Sequence, residues 1–525
     1  YPGGSVRDGY DMEAMSVRGR RVELEHGGSP SVGGDQYAAI VENNFERVQD
    51  APLSTFSIDV DTASYAKCRQ LLMEANQLPP AAAVRLEEFI NYFDYQYTGP
   101  TDDSPLAAHL AVASCPWQPE HQLVRIALQA PKLELAQRPA ANIVFLLDVS
   151  GSMNEPNKLP LVKEAMRMLI EQLGENDRLA MVVYAGAAGC VLESTRGDQQ
   201  QEILAALDRL SAGGSTNGGD GIQLAYNLAR DHYIPGGINR VILCTDGDFN
   251  VGVTNTQALV DLVVEQARSK TFLTVLGFGM GNTNDAMMEQ ISNRGNGVYG
   301  FVDSWREAKR QMVQQLVGNL MTVAKDVKLQ VEFNPQKIKA YRLLGYENRV
   351  MAAQDFNDDK KDAGEIGAGH RVTALYEVVS VDSESSDGRD AVDELRYQPR
   401  KTVAITTSSD EPSVSPMESG DHATKFEQEL LAVKLRYKQP EGETSQLRVF
   451  PLVDEFTKFA QADADLRWAA SMVEFGMLLR GSRYSGSANW SGLVEQATAA
   501  AGNNPDPQRE ECLQMIRHAA QLSGQ

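Results

Sequence analysis

The stretch that decides the fold is residues 141–152, Ala141-Asn-Ile-Val-Phe-Leu-Leu-Asp148-Val-Ser150-Gly-Ser152. Its continuous apolar run is typical of a parallel strand that is buried on both faces of a sheet. The run ends in a carboxylate, and two hydroxyls follow at intervals of two residues. Gly151 permits a sharp backbone turn, so the three side chains can converge. We therefore predict a buried strand with a polar site at its carboxyl end.

Strands and helices alternate strictly on the C-terminal side of this stretch. The predicted strands are 143–148, 178–185, 240–244, 271–277 and 298–302. The predicted helices are 159–173, 200–210, 221–232, 256–269, 284–292 and 305–323. This alternation indicates an α/β fold with a doubly wound, mostly parallel sheet, in which ligands bind beyond the carboxyl ends of the strands.

Two further segments bring oxygen-bearing side chains to the same edge. Gly213-Gly-Ser-Thr216-Asn lies in a loop before a helix, and Cys244-Thr-Asp246-Gly follows a strand. Together with the first stretch they give an oxygen-only set that suits a hard divalent cation, Mg²⁺ first and Mn²⁺ or Ca²⁺ as alternatives. The predicted metal ligands are Asp148, Ser150, Ser152, Thr216 and Asp246.

This pattern of DxSxS, then Thr, then Asp resembles the von Willebrand factor A (VWA) domain with a metal-ion-dependent adhesion site. All five positions match. The resemblance implies a Rossmann-like fold and a metal with one open coordination position, which an Asp or Glu of a partner protein completes. A site with few direct carboxylates leaves positive charge on the ion, so an anionic ligand is favourable.

The resemblance extends over roughly residues 50–525. Leu53-Ser-Thr-Phe-Ser-Ile-Asp-Val-Asp, Arg85-Leu-Glu-Glu-Phe-Ile-Asn-Tyr-Phe and Ala340-Tyr-Arg-Leu-Leu-Gly-Tyr-Glu-Asn look like segments of bacterial proteins of the YfbK type. That family implies an extracytoplasmic location, at the periplasm, outer membrane or cell surface. It also implies a lipoprotein-type signal in many members.

The rest of the chain is expected to hold a β-sandwich and a set of C-terminal helices. We predict a Gly-rich arm (1–45), a helical accessory segment (46–100), strands joining the sandwich (101–137), the VWA domain (138–323), a β-rich domain (324–455) and C-terminal helices (456–525). The candidate strands are 109–115, 122–130, 327–333, 338–346, 372–379, 402–406, 430–437 and 445–451. The candidate helices are 65–75, 83–95, 462–479, 490–501 and 507–522.

The composition excludes several classes of protein. The 525 residues include 49 Lys and Arg against 71 Asp and Glu, a net charge of −22, which argues against binding to nucleic acid or anionic lipid. No apolar run approaches the roughly 18 residues of a membrane span. The five cysteines are scattered and form no CxxC pair, which excludes a zinc ribbon or a disulfide framework.

A second, weaker cation site is an alternative at an acidic loop. Asp355, Asn357 and Asp359 have the 1-3-5 spacing of a calcium loop, but Lys360 and Ile366 replace the Gly and Glu that an EF-hand needs. The competing interpretation is a solvated acidic hairpin. No P-loop and no HExxH motif is present.

These features favour a non-enzymatic receptor for a protein ligand with an exposed acidic residue. One alternative is a self-assembling homo-oligomer, in which the arm or the metal site binds a neighbouring copy. Another is an adaptor for an AAA-type ATPase, which requires a cytoplasmic location. An enzyme is the least expected, since a bound metal without a positioned base is not a mechanism.

Overall fold

The computed structural model describes residues 31–32, 35–58, 61–132, 138–185, 187–213, 219–247, 256–279, 284–315, 321–359, 361, 363–383, 426, 428–440 and 442–524. The strands are β1 (Ser31–Val32), β2 (Asp35–Gln36), β3 (Glu46–Arg47), β4 (Leu53–Ser57), β5 (Ala107–Ser114), β6 (Gln122–Gln129), β7 (Ala141–Asp148), β8 (Arg178–Ala185), β9 (Ala187–Arg196), β10 (Ile238–Thr245), β11 (Phe272–Phe278), β12 (Tyr299–Val302), β13 (Thr322–Phe333), β14 (Ile338–Leu344), β15 (Val350–Met351), β16 (Gly364–Gly367), β17 (Arg371–Ser380), β18 (Glu429–Lys438) and β19 (Ser445–Val453). The α-helices are α1 (Ala63–Met73), α2 (Leu86–Asn91), α3 (Leu159–Ile170), α4 (Gln200–Asp208), α5 (Gly219–Asp231), α6 (Thr256–Arg268), α7 (Asp285–Arg294), α8 (Trp305–Lys309), α9 (Ala464–Arg480), α10 (Trp490–Ala501) and α11 (Pro507–Leu522).

The central sheet confirms the predicted doubly wound fold. Its strand order is β12-β11-β10-β7-β8-β9, and every pair is parallel except β8 with β9. All eight residues of β7 are buried. Ile143, Phe145 and Leu147 pack against α3 and α4 on one face, whereas Val144 and Leu146 pack against α5 and α6 on the other. This two-sided burial is why β7 is continuously apolar.

Two further sheets form the expected β-sandwich. One has the order β15-β4-β13-β18-β19, with β16 also paired to β13, and the other has the order β3-β14-β17-β6-β5. Side chains from both sheets share one apolar core. Within it Phe333 of β13 stacks on Tyr341 of β14, with ring centroids 4.0 Å apart. The two sheets are therefore one packed unit.

The helices near both ends of the chain share a third core. Side chains of α1, α2, α9, α10 and α11 pack together and against Leu344 and Leu375 of the sandwich. Tyr37, from the part of the predicted arm that the structure describes, is only 2% exposed and lies in the same core. No helix in the described ranges combines the length and the apolar character needed to cross a membrane.

Several predicted elements differ from the structure. The predicted helix 305–323 was too long: α8 continues only as a π-helical turn, Arg310–Gln314, and β13 already begins at Thr322, where it pairs with β16. The predicted helix 83–95 is the shorter α2. The hairpin partner β9 was not predicted, because its mixed sequence lacks alternation. The candidate strand 402–406 lies outside the described residues.

Candidate functional site

Asp148 lies at the carboxyl end of β7 and is fully buried. The Ser150 backbone N–H donates a 2.8 Å hydrogen bond to Asp148 Oδ1. A 3-10 turn, Gly151–Asn154, follows directly. It brings the Ser152 hydroxyl within 3.0 Å of the Ser150 hydroxyl. The first three predicted site residues are thus held together by one tight turn.

Asp246 reaches the same edge from the neighbouring strand. Leu147 pairs with Cys244 in the parallel register of β7 and β10, so the residues that follow each strand lie side by side. Asp246 is 1% exposed. Its carboxylate and that of Asp148 are close enough for each charge to affect the other. The structure therefore brings four of the five predicted ligands to one edge of the sheet.

The fifth predicted ligand, Thr216, lies outside the described residues. Its loop departs from the site at Gly213, whose backbone N–H donates a 2.8 Å hydrogen bond to the Val149 carbonyl oxygen. Val149 stands between Asp148 and Ser150. The attachment point of the loop is thus adjacent to the cluster.

The Asp148 carboxyl group is strongly perturbed by its surroundings. Burial raises its pKa to about 6, and the nearby Asp246 charge adds to the rise, whereas the hydrogen bonds from Ser150 oppose it. The Tyr184 hydroxyl also opposes the rise, although the buried Oδ2 atom accepts no hydrogen bond of normal length and angle. A desolvated carboxylate oxygen in that state is stabilised by a cation.

A hard divalent cation fits these residues. Two carboxylates and two hydroxyls lie at this edge of the sheet, and the Asp148 carboxylate is fully buried. The described part of the chain, this edge included, holds no group of three or more His, Cys, Asp or Glu side chains arranged for a metal. The donor set here is instead a carboxylate pair with hydroxyls, as Mg²⁺ or Mn²⁺ prefers.

Two residues at the site were not foreseen from the sequence. Tyr184 of β8 lies opposite Asp148 in the strand register. Lys158, immediately before α3, points its ammonium group at Asp246, with Nζ 3.1 Å from Oδ2. No motif signals either residue, since both approach the site only through folding.

Cationic side chains face the residues of the second candidate cation site. The Asp355 carboxylate lies 3.3 Å from Lys361 Nζ. Asn357 and Asp359 instead accept hydrogen bonds from the Arg436 guanidinium, at 3.3 and 3.4 Å. Because cationic side chains already face these oxygens, we propose no metal there.

Comparison with known proteins places three parts of the chain in described families. Residues 142–316 match the model for the von Willebrand factor type A domain. Residues 318–522 match the model for "Uncharacterized protein YfbK, C-terminal". Residues 31–125 match a model described as von Willebrand factor.

Individual proteins are also similar to this chain. YfbK of Escherichia coli K12 is 38% identical over 510 residues, which are 96% of this chain and 84% of that protein. Human inter-alpha-trypsin inhibitor heavy chain H3 is 30% identical over 257 residues, 45% of this chain but only 28% of that protein. The solved structure of a von Willebrand factor type A protein from Catenulispora acidiphila covers 81% of this chain and 92% of its own, at 16% identity and a TM-score of 0.41.

Proposed function

Because this chain belongs to the family of the Escherichia coli protein YfbK and contains a VWA domain, we propose that it is a metal-dependent protein-binding module. VWA domains generally mediate protein–protein interactions. The observation that carries the proposal is the buried pair Asp148 and Asp246 at the ends of neighbouring strands, beside the Ser150 and Ser152 hydroxyls.

Residues of the chain itself hold the side chains of the proposed site in position. The Ser150 N–H fixes one oxygen of Asp148, so the other is directed away from the backbone turn. Asp246 is held on the adjacent strand end by the rigid parallel register. The Ser152 side chain is exposed, which leaves the site open to solvent on that side. The remaining ligand in this proposal is Thr216.

A divalent ion held by these residues would supply a Lewis acid for a carboxylate oxygen of a partner protein. Among the described residues, Asp148 and Asp246 lie at this edge and the Lys158 ammonium offsets one of their charges, so a divalent ion here would keep positive charge for an anionic ligand. The partner we propose presents an exposed Asp or Glu, and Mg²⁺ is the proposed metal. We place this function outside the cytoplasm, as the family resemblance implies.

We do not propose an enzymatic activity for this chain. VWA-domain proteins are generally interaction modules. At this edge of the sheet the Lys158 ammonium group is engaged with Asp246 at 3.1 Å. It therefore does not serve as a general base beside the site.

Calorimetric titration of the full chain with Mg²⁺ and Mn²⁺ tests this function, together with the D148A variant. We expect about one ion per chain for the wild type and none for D148A, with the fold retained. D198A is the matched control, because Asp198 is an exposed carboxylate of the same domain paired with Arg196. Absence of binding in the wild type would contradict the proposal.

Light scattering during the same titration separates a receptor from a self-assembling protein. An unchanged mass on metal binding supports a free receptor site. A mass that doubles or grows with metal means that the acidic ligand comes from a second copy of the chain. The proposed acidic partner would then be the protein itself.

A further inference from the structure

Lys158 places a positive charge inside the proposed metal site. Its Nζ lies 3.1 Å from Asp246 Oδ2, and the two side chains are only 6% and 1% exposed. Buried lysines are uncommon and require a partner, because desolvation of an ammonium group is costly. The buried ion pair between Lys158 and Asp246 is therefore part of the structure of the site.

The backbone around Lys158 fixes the direction of its side chain. The Lys158 N–H donates to the Glu155 carbonyl at 3.0 Å, and its carbonyl accepts from Val162 N–H in the first turn of α3 at 2.9 Å. The helix start thus anchors the lysine at one end. The ion pair with Asp246 anchors the other end.

The backbone at Gly279 packs closely against the aliphatic part of the Lys158 side chain. It has a φ of +75°, and a Cβ atom built there would lie 2.3 Å from Lys158 Cε and 2.8 Å from Cγ. Only glycine allows the backbone after β11 to approach the lysine this closely. The lysine chain consequently has little room to leave Asp246 for another position.

We propose that Lys158 is an internal cation that competes with the metal for Asp246 and lowers the affinity of the site. This inference rests on the proposed metal-binding function. The ammonium compensates one of the two carboxylate charges, so an incoming divalent ion meets less negative charge. Lys158 also holds Asp246 in place when no metal is bound. It is a positioning residue rather than a ligand.

The test is the Mn²⁺ affinity of the full-length K158M variant, measured by calorimetry at low ionic strength. Loss of one positive charge a few ångströms from the ion should tighten binding by about tenfold. K163M is the matched control. Lys163 lies on α3 but donates to the carbonyl oxygens of Asp208 and Leu210, away from the site, so its removal should leave the affinity unchanged.

Thermal unfolding gives a second readout that a merely structural role would not produce. In EDTA, K158M should unfold at a lower temperature than the wild type, because Asp246 has lost its ammonium partner. Added Mn²⁺ should then raise the unfolding temperature of K158M more than that of the wild type. K158Q, which keeps a hydrogen-bond donor but no charge, replaces K158M if the latter does not fold.

The outcomes separate this inference from the function on which it rests. Unchanged or weaker Mn²⁺ binding in K158M and K158Q, with normal binding by the wild type, overturns the role of Lys158 alone. No binding in the wild type or either variant overturns the metal-binding function itself. Binding in K158M but not in the wild type supports the role of Lys158, as the group that excludes the metal, and contradicts metal binding by the native chain.

Discussion

Arg69 of α1 and Asp303, the residue after β12, form a bidentate ion pair, although they lie 234 residues apart in the sequence. Nε to Oδ2 is 2.7 Å and Nη2 to Oδ1 is 2.6 Å. The same guanidinium lies 3.0 Å from Glu307 of α8 and 3.1 Å from Glu511 of α11. One arginine thus joins the N-terminal helix, the VWA domain and the C-terminal helix.

Replacement of this arginine should be among the most damaging single changes. R69M leaves the buried carboxylates of Asp303 and Glu307 without one of their cations. Breaking a buried ion pair in this way costs about 3–5 kcal/mol. The free energy of unfolding from urea titration, followed by circular dichroism, measures the effect.

An exposed arginine supplies the control for this experiment. Arg196 pairs with Asp198 at 2.8 Å, but both side chains are about half exposed. R196M should therefore cost between about 0 and 1 kcal/mol. Equal losses in the two variants would contradict a structural role for the Arg69 network.

Glu474 should make the protein less stable as the pH rises toward neutrality. Burial within α9 raises its pKa from 4.5 to about 7, although a hydrogen bond from Gln496 opposes the rise. Between about pH 4.5 and pH 7 the unfolded chain releases this proton while the folded protein keeps it. The contribution of Glu474 to stability is therefore full below pH 4.5 and is lost as the pH rises to 7.

The E474Q variant measures this contribution. At pH 8 it should be more stable than the wild type by roughly 3 kcal/mol, because the buried charge is absent. The difference should vanish near pH 4. E495Q removes an exposed carboxylate from α10 and should retain the wild-type pH dependence. A pH-independent gain in E474Q would mean that packing, not charge, is responsible.

Replacement of Gly297 by alanine should lower the stability of the VWA domain. A Cβ atom there would lie 1.5 Å from the backbone carbonyl oxygen of Leu273, in β11, which cannot move cheaply. We expect G297A to cost about 2 kcal/mol or more, as measured by urea unfolding. In G189A nothing lies within 4 Å of the new Cβ atom, so this variant should unfold like the wild type.

Thiol chemistry should distinguish Cys190 from the other cysteines. Cys68, Cys115, Cys244 and Cys512 are buried, whereas Cys190 is exposed, and all five are free. Partial burial, followed by the nearby Glu193 charge, raises the pKa of Cys190 to about 11. A disulfide reagent should therefore modify one thiol in the native protein, slowly at pH 8, and C190S should abolish that reaction.

The strand ending at Asp148 was predictable because two-sided burial leaves a continuous apolar run in the sequence. The pairing of Asp148 with Asp246 followed from the rule that parallel strands end at the same edge. Lys158 was not predictable, since its partner lies 88 residues away and no periodicity marks it. The same holds for Tyr65, whose hydroxyl lies 3.3 Å from the Met515 sulfur across 450 positions. Contacts of that kind depend on how whole units pack.

The position of β7 in the sheet has a mechanical consequence. A partner attached through Asp148 would pull along the axis of this strand. Because β7 is paired in parallel register with β10 on one side and β8 on the other, such a pull loads both hydrogen-bond ladders in shear, where many bonds must yield together. An edge strand such as β12 would share the same load with one neighbour only. An attachment point at Asp148 would thus lie on a strand well suited to bearing tension.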